Sequence, residues 1–233
     1  MRSRRVSRIA RAAAAAALLL SAGCSAATHS ASGDADAQAG PAGDAAVARP
    51  ALAMGPGPQP TYTVQRQPAP GTCHYRADHG QPLPDPACTP GALSPAVTTG
   101  TLRTTICRPG GYTSTIRPPA AVTGAEKRAN ARSYAYTGSP HDAEYDHLVP
   151  LSLGGDPNDP RNLWVEPPSP GHQAGAGVNN PKDALEEQLH TAVCSGHVPL
   201  AAAQKAIATD WATADQKLGL PPAATGTTAK SGG

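Results

Sequence analysis

The chain has 233 residues, a formal net charge of +2 and only 3% aromatic residues, with no phenylalanine. This length allows one domain of ordinary size with appended segments, and the 26 prolines and 24 glycines predict a modest core with long irregular stretches. The small charge excludes nucleic-acid binding through the net charge of the whole chain, so contact with a polyanion needs a local basic patch.

Residues 1 to 24 have the pattern of an export signal. Several arginines precede an apolar stretch from Ala12 to Leu20, which is far shorter than the roughly 20 residues that span a bilayer. The residues from Leu20 to Cys24 resemble a lipoprotein processing site, which implies cleavage before Cys24 and lipidation of that residue. The alternative is an ordinary signal peptide cut between Ala22 and Ala27. In both cases we expect the mature protein outside the cytoplasm, either anchored to the membrane surface by lipid or secreted.

Composition divides the rest of the chain into three parts. Residues 25 to 70 are mostly Ala, Gly, Pro, Ser and Asp, which cannot bury enough apolar surface to offset the entropy of ordering the chain. This composition predicts a disordered tether that leads to a domain at residues 71 to 220. Residues 221 to 233 are predicted to form a disordered tail.

Four cysteines remain after the signal segment, and an even number in an exported chain predicts two disulfides. The four are Cys73, Cys88, Cys107 and Cys194. Three pairings are possible. We favour Cys73–Cys88, which closes a local loop, and Cys107–Cys194, which ties the start of the domain to a later helix. The alternative is a zinc site that combines cysteines with His74 or His79, but the chain has no Cys-x-x-Cys pair to support it.

The first half of the domain predicts a hairpin and then a helix. Thr101–Cys107 and Tyr112–Ile116 are rich in β-branched residues and flank a Pro-Gly-Gly turn, which indicates an N-terminal β-hairpin. A capping box at Thr123–Glu126 predicts a helix from Gly124 to Ser133. The basic residues of this helix form either a solvated face or a patch that contacts phosphate: Lys127, Arg128 and Arg132.

A second hairpin and two helices follow. Tyr145–Leu151 and Asn162–Val165 are strand-like runs around a turn rich in Gly, Asp and Pro, and Trp164 is predicted to anchor the core. Asn180 and Pro181 start a helix with a buried stripe at four-residue steps, formed by Leu185, Leu189 and Val193. A last helix is predicted from Pro199 to Gly219.

The second hairpin carries a motif. Asp146-His147-x-x-Pro-Leu-x-x-Gly-Gly followed by Asn162-Leu163 resembles the first two thirds of an HNH nuclease motif, and the resemblance covers roughly residues 89 to 211. Lys182–Glu186 and Val193–Gly196 also resemble a group of secreted bacterial HNH-like proteins. The resemblance implies an α+β fold: a small HNH-like ββα-metal core with an extra N-terminal β-hairpin and flanking helices, stapled by disulfides.

The resemblance also implies a metal-dependent endonuclease that hydrolyses the phosphodiester bonds of DNA. In it, His147 is the general base and Asp146 is a ligand of a divalent metal, Mg²⁺ or else Mn²⁺ or Zn²⁺. Asn162 holds the His147 ring by a hydrogen bond. On an ideal strand Asp146 and His147 point to opposite faces, so a shared site requires the strand to twist or end there.

The third element of the motif has two candidates. Asn179 is the favoured second metal ligand because Asn179 and Lys182 have the expected spacing, and His172 is its rival. Lys182 is expected near the scissile phosphate. The expected partner is nucleic acid, bound mainly through phosphate contacts, and the sequence indicates no protein partner.

Two other functions fit the same residues. The chain could be a non-catalytic cell-surface binding lipoprotein that retains the HNH fold. It could also be a structural envelope lipoprotein in which Asp146 and His147 are hydrogen-bonded residues at a hairpin corner. A divalent ion held by Asp146 distinguishes the nuclease from both.

Overall fold

A computed structural model describes residues 51–178 and 180–223. The described helices are α1 (Ala120–Ser133), α2 (Lys182–Cys194), α3 (Leu200–Thr209) and α4 (Ala214–Lys217). The described strands are β1 (Ala53–Met54), β2 (Arg76–Asp78), β3 (Gln81–Leu83), β4 (Ala92–Leu93), β5 (Glu144–His147) and β6 (Leu163–Glu166). Short 3₁₀ helices occupy Thr99–Thr104, Thr113–Thr115, Leu151–Leu153 and Trp211–Thr213. The predicted α+β class is confirmed.

Three two-stranded sheets are present among the described residues. β1 pairs in parallel with β4, β2 pairs antiparallel with β3, and β5 pairs antiparallel with β6. The last of these is the predicted second hairpin, with Glu144 opposite Glu166 and His147 opposite Leu163. It is shorter than predicted because the chain turns into a 3₁₀ helix immediately after Pro150, which has no amide hydrogen for a sheet.

The core lies between this hairpin and the helices α2 and α3. The predicted stripe of Leu185, Leu189 and Val193 is buried, since residues four apart lie on one face of a helix. Trp164 is fully buried, which confirms its predicted role, and its ring lies 6.0 Å from that of Tyr75 between centroids. These contacts hold the hairpin that carries the motif against the helical layer.

The predicted N-terminal hairpin is wrong. Residues 101 to 116 contain no strand, and 3₁₀ helices stand in its place. The threonine hydroxyls bond locally instead of leaving the backbone free to pair: Thr101 Oγ1 donates to the Ala96 carbonyl at 2.9 Å, and Thr105 Oγ1 donates to the Thr101 carbonyl at 2.7 Å. Such bonds compete with a β-ladder. The additional hairpin of the domain is instead β2–β3.

Two predicted helix boundaries are also wrong. Helix α1 begins at Ala120, four residues early, directly after Pro119, whose backbone is extended. The expected capping residue Glu126 is buried and accepts a hydrogen bond from the Gln65 amide at 2.7 Å. The last helix breaks at Asp210, which has an extended backbone and whose side chain accepts from the Ala212 amide. A side-chain cap at that position starts a new turn rather than continuing α3.

The ordered domain starts earlier than composition predicts. Residues 51 to 70, assigned to the tether, are bonded to distant parts of the chain: Gly57 donates from its amide to Asp156 Oδ2 at 2.7 Å, and Tyr62 donates from its hydroxyl to the Ile116 carbonyl at 2.7 Å. Polar bonds replace the apolar burial that this segment lacks. Cys24, the rest of the predicted tether and the residues after Ala223 lie outside the described residues. The first residues of the predicted tail, 221 to 223, are described, and the Ala223 amide donates to Asp215 Oδ2.

Both favoured disulfides are present, Cys73–Cys88 and Cys107–Cys194. The first closes a loop with a sequence separation of 15, and the second spans 87. Structural disulfides of this kind indicate an oxidising environment. Among residues 51–178 and 180–223, no helix combines the length and apolarity needed to cross a bilayer.

Candidate functional site

His147 ends strand β5 with a buried side chain that is held in one orientation. Its Nε2 lies 3.0 Å from the Pro157 carbonyl oxygen in the loop that joins the two strands. Burial, with a smaller effect from the positive charge of Arg117, lowers the pKa of His147 to about 4. The ring is therefore neutral at neutral pH. Because Nε2 donates to a carbonyl, Nδ1 is the nitrogen with the lone pair.

Asp146 faces the opposite side of the strand, toward helix α2. Its Oδ2 accepts a hydrogen bond from Lys182 Nζ at 2.6 Å. The same ammonium donates to the His147 carbonyl at 2.9 Å and to Glu186 Oε1 at 2.5 Å. The strand alternation that separates Asp146 from the His147 ring is thus retained, and the first residues of α2 reach only the Asp146 side.

The predicted position of Lys182 near a scissile phosphate differs from what the structure shows. The side chain is fully buried, and its ammonium is bonded to three oxygen atoms. Burial opposes its charge, but the carboxylates of Asp146 and Glu186 outweigh burial and raise the pKa of Lys182. The ammonium occupies the place of a cation within a group of acids, and it is not exposed to a substrate.

Two further acids complete this group, which we call the carboxylate cluster: Asp146, Glu166, Glu186 and the Lys182 ammonium. Burial raises the pKa of Glu186 to about 7. Burial, followed by the negative charge of Asp146, raises the pKa of Glu166 well above its usual range. By contrast, burial raises and the Lys182 ammonium lowers the pKa of Asp146, with a net lowering. Two buried carboxyl groups and the half-buried Glu186 therefore surround one ammonium.

Glu166 is the least satisfied member of the carboxylate cluster. Both of its carboxyl oxygens are buried, and neither makes a hydrogen bond of good geometry among the described residues, although the side chains of Asp146 and Asn180 lie close enough to affect its pKa. It lies directly opposite Glu144 in the hairpin, and residue 146 lies on the same face as residue 144. A buried carboxyl group without a partner is costly. An orphaned acid beside Asp146 and Glu186 is an oxygen-only donor set of the kind that Mg²⁺ and Mn²⁺ prefer.

Neither glutamate was singled out from sequence. Glu186 follows Lys182 by four residues on a helix, a spacing at which opposite charges meet, so this signal was available. Glu166 becomes a neighbour of Asp146 only through the register of the hairpin. Arg117, which is exposed and influences His147, precedes a proline and belongs to no motif.

Asn162 has a different role from the predicted one. It does not hold the His147 ring; its Nδ2 donates to the carbonyls of Val149 and Asp156 at 3.0 Å each, and its Oδ1 accepts from the Val149 amide at 3.0 Å. It therefore ties together the two ends of the loop between the strands. Gly155 makes this closure possible because a Cβ there would lie 1.7 Å from the Val149 carbonyl oxygen.

The two rivals for the third motif position have different outcomes. Asn179 lies outside the described residues. The His172 side chain is 7% exposed and its Nε2 lies 3.5 Å from Asp142 Oδ1, so the structure pairs it with Asp142. Asp142 accepts hydrogen bonds from the amides of Gly175 and Gly177 at 2.9 and 3.0 Å, and these bonds hold its pKa below its usual range.

The basic residues of α1 divide into two groups. Lys127 Nζ donates to the carbonyls of Pro140 and Ala143 at 2.6 and 2.7 Å, so it fixes the segment that leads into β5. Arg128 and Arg132 are exposed. Lys127 thus has a structural role, and the two arginines remain available to a polyanion.

A second group of metal-ligand type lies elsewhere. Three possible ligand atoms lie within 4.8 Å of one another, one each from Cys107, His190 and Cys194, so this group could bind a metal ion. The two sulfurs are joined in a disulfide, and a thiolate, not a disulfide, is the metal ligand.

Comparisons of the chain with protein-family models, with curated proteins and with solved structures found no match. The HNH assignment stays a prediction from the motif residues.

Proposed function

We propose that the chain is an exported, metal-dependent endonuclease of the HNH type that hydrolyses phosphodiester bonds of DNA. The observation that carries the proposal is the carboxylate cluster, in which burial and the charge of Asp146 raise the pKa of Glu166, so that a divalent ion could replace its proton. Three acids, two of them buried, surround one ammonium there, and neither carboxyl oxygen of Glu166 makes a hydrogen bond among the described residues. The neutral imidazole of His147 lies on the other face of the same strand, so a joint site requires a substrate that reaches both faces at the end of β5.

Asp146 and Glu166 are the residues that would hold a divalent ion, with Glu186 nearby. Mg²⁺ or Mn²⁺ suits this donor set because carboxylate oxygens are hard ligands. When bound, such an ion supplies neutralisation of charge on the phosphate and on the leaving oxygen. Glu166 can turn toward an ion without losing a hydrogen bond, whereas Asp146 keeps one oxygen on Lys182.

His147 would act as the general base. Its ring is neutral at neutral pH, and the Pro157 carbonyl keeps the hydrogen on Nε2, which leaves the Nδ1 lone pair to take a proton from water. Asn162 and Gly155 hold the loop that contains Pro157, so they position the ring indirectly. The charge of Arg117 is close enough to affect His147 and would attract the phosphate.

The location and the substrate are part of the same proposal. The two disulfides fit an extracytoplasmic protein, and lipidation of Cys24 would hold it at the membrane surface. Exposed Arg128 and Arg132 support contact with the backbone of DNA. Binding through phosphates predicts little dependence on base sequence and a strong dependence on salt.

A non-catalytic binding lipoprotein is the second candidate, and one observation favours it. Lys182 Nζ already bonds Asp146, Glu186 and a main-chain carbonyl within 2.9 Å. The Lys182 ammonium can neutralise these acids in the way that a bound metal ion would neutralise them in an enzyme. In that case the hairpin and its helix form a stable scaffold without a catalytic ion.

Nicking of supercoiled plasmid tests the proposal. The full chain, with both disulfides formed, is incubated with Mg²⁺ or Mn²⁺, and a parallel sample contains EDTA. We expect nicking that requires the metal and falls about 10²–10⁴-fold in His147→Ala, as expected on loss of a general base. His197→Ala, which changes an exposed histidine, is the matched control and should retain the full rate.

Absence of nicking with either ion, from protein shown to be folded, would favour the binding lipoprotein. Equal rates for wild type and His147→Ala would exclude His147 as the base.

A further inference from the structure

Cys107, His190 and Cys194 form a compact group that the proposed nuclease does not use. His190 and Cys194 are four residues apart on α2 and therefore share one of its faces. Cys107 joins them through its disulfide, with a Cα–Cα distance of 5.4 Å to Cys194. The ligand atoms of all three lie within 4.8 Å of one another. Two sulfurs and an imidazole are the donors that Zn²⁺ binds in proteins.

We propose that this group is a redox-gated zinc site, closed in the oxidised protein and opened by reduction of the Cys107–Cys194 disulfide. The oxidised group offers one imidazole, because neither disulfide sulfur is a thiolate. The reduced group offers two thiolates and one imidazole, with water in the fourth position. The site is independent of the carboxylate cluster in residues and in ligand chemistry.

The gating step is a thiol–disulfide exchange with an external dithiol. A thiolate of that dithiol attacks Sγ of Cys194, the more exposed of the two cysteines, and forms a mixed disulfide while Cys107 leaves as a thiolate. The second thiol of the reductant then releases Cys194. The dithiol becomes a disulfide, two electrons pass to the Cys107–Cys194 pair, and the two thiols lose their protons to solvent when zinc binds.

The fold holds the three ligands near one another after the covalent bond is broken. The Cys107 amide donates to the Leu102 carbonyl at 2.9 Å, and the preceding Ile106 is buried in the core. His190 Nε2 lies 2.8 Å from the Ile106 carbonyl oxygen, which anchors the imidazole beside Cys107. On the other side, buried Leu189 and Val193 fix the turn of α2 that carries His190 and Cys194.

The geometry needs only a small opening. Tetrahedral zinc with Zn–S bonds of about 2.3 Å places two sulfurs roughly 3.8 Å apart, which is within the present spread of the ligand atoms. The two sulfurs must separate from bonding distance, and side-chain rotation at the exposed end of α2 can supply this change. The imidazole does not have to travel to reach the sulfurs.

Cobalt binding tests the site. The full chain in a Cys24→Ser background, which removes the fifth thiol, is titrated with Co²⁺ before and after treatment with a dithiol. Thiolate-to-cobalt charge-transfer absorption should appear only after reduction and reach one ion per chain. Zn²⁺ should then displace the cobalt and abolish the band. His190→Ala should weaken binding by at least about 10-fold, and His197→Ala, an exposed histidine three residues after Cys194, should not.

The double variant Cys107→Ser/Cys194→Ser decides between this site and the other cysteine pair. We expect the charge-transfer band to be lost in the double variant. Cys73 and Cys88 belong to no group of three metal-ligand atoms among the described residues. Retention of the band there, or no band in the reduced chain, would overturn the proposal. If reduction unfolds the chain, addition of metal should restore its helical circular dichroism, and failure to do so would also overturn it.

Discussion

At the scale of single residues, the chain buries more charge than its composition suggests. Only 15% of its residues are charged, yet Asp146, Glu166 and Lys182 are all buried. Charged groups are rarely buried without partners because their loss of hydration is costly. Lys182 offsets that cost through three hydrogen bonds, whereas burial raises the pKa of Glu166 and favours its neutral form. A metal ion placed beside Glu166 would take the place of its proton.

Replacement of Lys182 tests its role as the internal cation. Lys182→Met keeps the length and burial of the side chain but leaves Asp146 and Glu186 without their ammonium. We expect a loss of about 3–5 kcal/mol in the free energy of unfolding, the usual cost of removing one partner of a buried ion pair. Urea unfolding measures this loss. Lys205→Met on the exposed face of α3 is the control, and equal stability of the two variants would contradict the burial argument.

Asp142 should make the stability of the protein depend on pH at acidic values. The amides of Gly175 and Gly177, with smaller effects from His141 and His172, hold its pKa below the ordinary value; Tyr136 also faces it. Because the folded pKa is the lower one, the carboxylate stabilises the fold fully above the unfolded pKa of about 3.9. That stabilisation is lost as the pH falls through the folded pKa.

The variant Asp142→Asn isolates this effect. Its free energy of unfolding should be lower than that of the wild type at neutral pH, and the difference should shrink as the pH falls below about 4. Urea unfolding at several pH values provides the measurement. A difference that stays constant over that range would show that the carboxylate charge is not the cause.

At the scale of elements, the loop between β5 and β6 determines where the His147 ring lies. The loop is closed by the side chain of Asn162 and by the close approach of Gly155 to Val149. The Gly, Asp and Pro pattern predicts a turn here, but not that Asn162 bonds both of its ends. Sequence patterns identify turn residues through local conformation, whereas these bonds depend on the path of the whole loop.

Gly155→Ala tests the closure of this loop. The added Cβ would lie 1.7 Å from the Val149 carbonyl oxygen, so the backbone must move, and we expect a loss of stability of at least about 1–3 kcal/mol. Gly124→Ala is the matched control, because its Cβ would meet only Arg128 Nη1 at 3.7 Å. Within helix α1 that change should stabilise by about 0.5–1 kcal/mol. Thermal unfolding compares the two, and equal shifts would argue against a tight closure.

Elements with periodic apolar residues were predicted well, and elements fixed by polar bonds were not. The stripe of α2 follows from the four-residue spacing of Leu185 and Leu189, which tertiary packing then buries. The Thr101–Cys107 segment has the residues of a strand, but its hydroxyls bond to nearby carbonyls and its end is fixed by a disulfide. Local propensity cannot foresee which of these competing bonds forms.

At the scale of the whole molecule, the disulfides and the ordered N-terminal segment compensate for a small aromatic core. The parity of cysteines predicted both disulfides, but composition assigned residues 51 to 70 to a tether. That segment adds order through bonds such as those from Gly57 and Tyr62 to residues far along the chain. A composition argument weighs apolar burial alone and therefore overlooks segments that are held by backbone and hydroxyl groups.

The sequence identified two residues of the candidate site, but it did not identify the acids around them. Asp146 and His147 follow from the motif, whereas Glu166 and Glu186 become neighbours of Asp146 only through strand register and helix packing. We expected the Asp146 side chain and the His147 ring to lie together. In the structure they lie on opposite faces of β5. Metal-dependent cleavage therefore requires that the Asp146 side of β5 binds a metal ion.

Binding of Mn²⁺ to the oxidised full chain tests this dependence most directly. The loss of the free-ion signal in electron paramagnetic resonance counts the bound ions. We predict one ion per wild-type chain and much weaker binding in Glu166→Gln, which replaces an ionisable carboxyl group with an amide of nearly the same shape. Glu187→Gln, at an exposed position of α2, should bind like the wild type. No bound Mn²⁺, or equal binding in Glu166→Gln, would contradict the metal-dependent account.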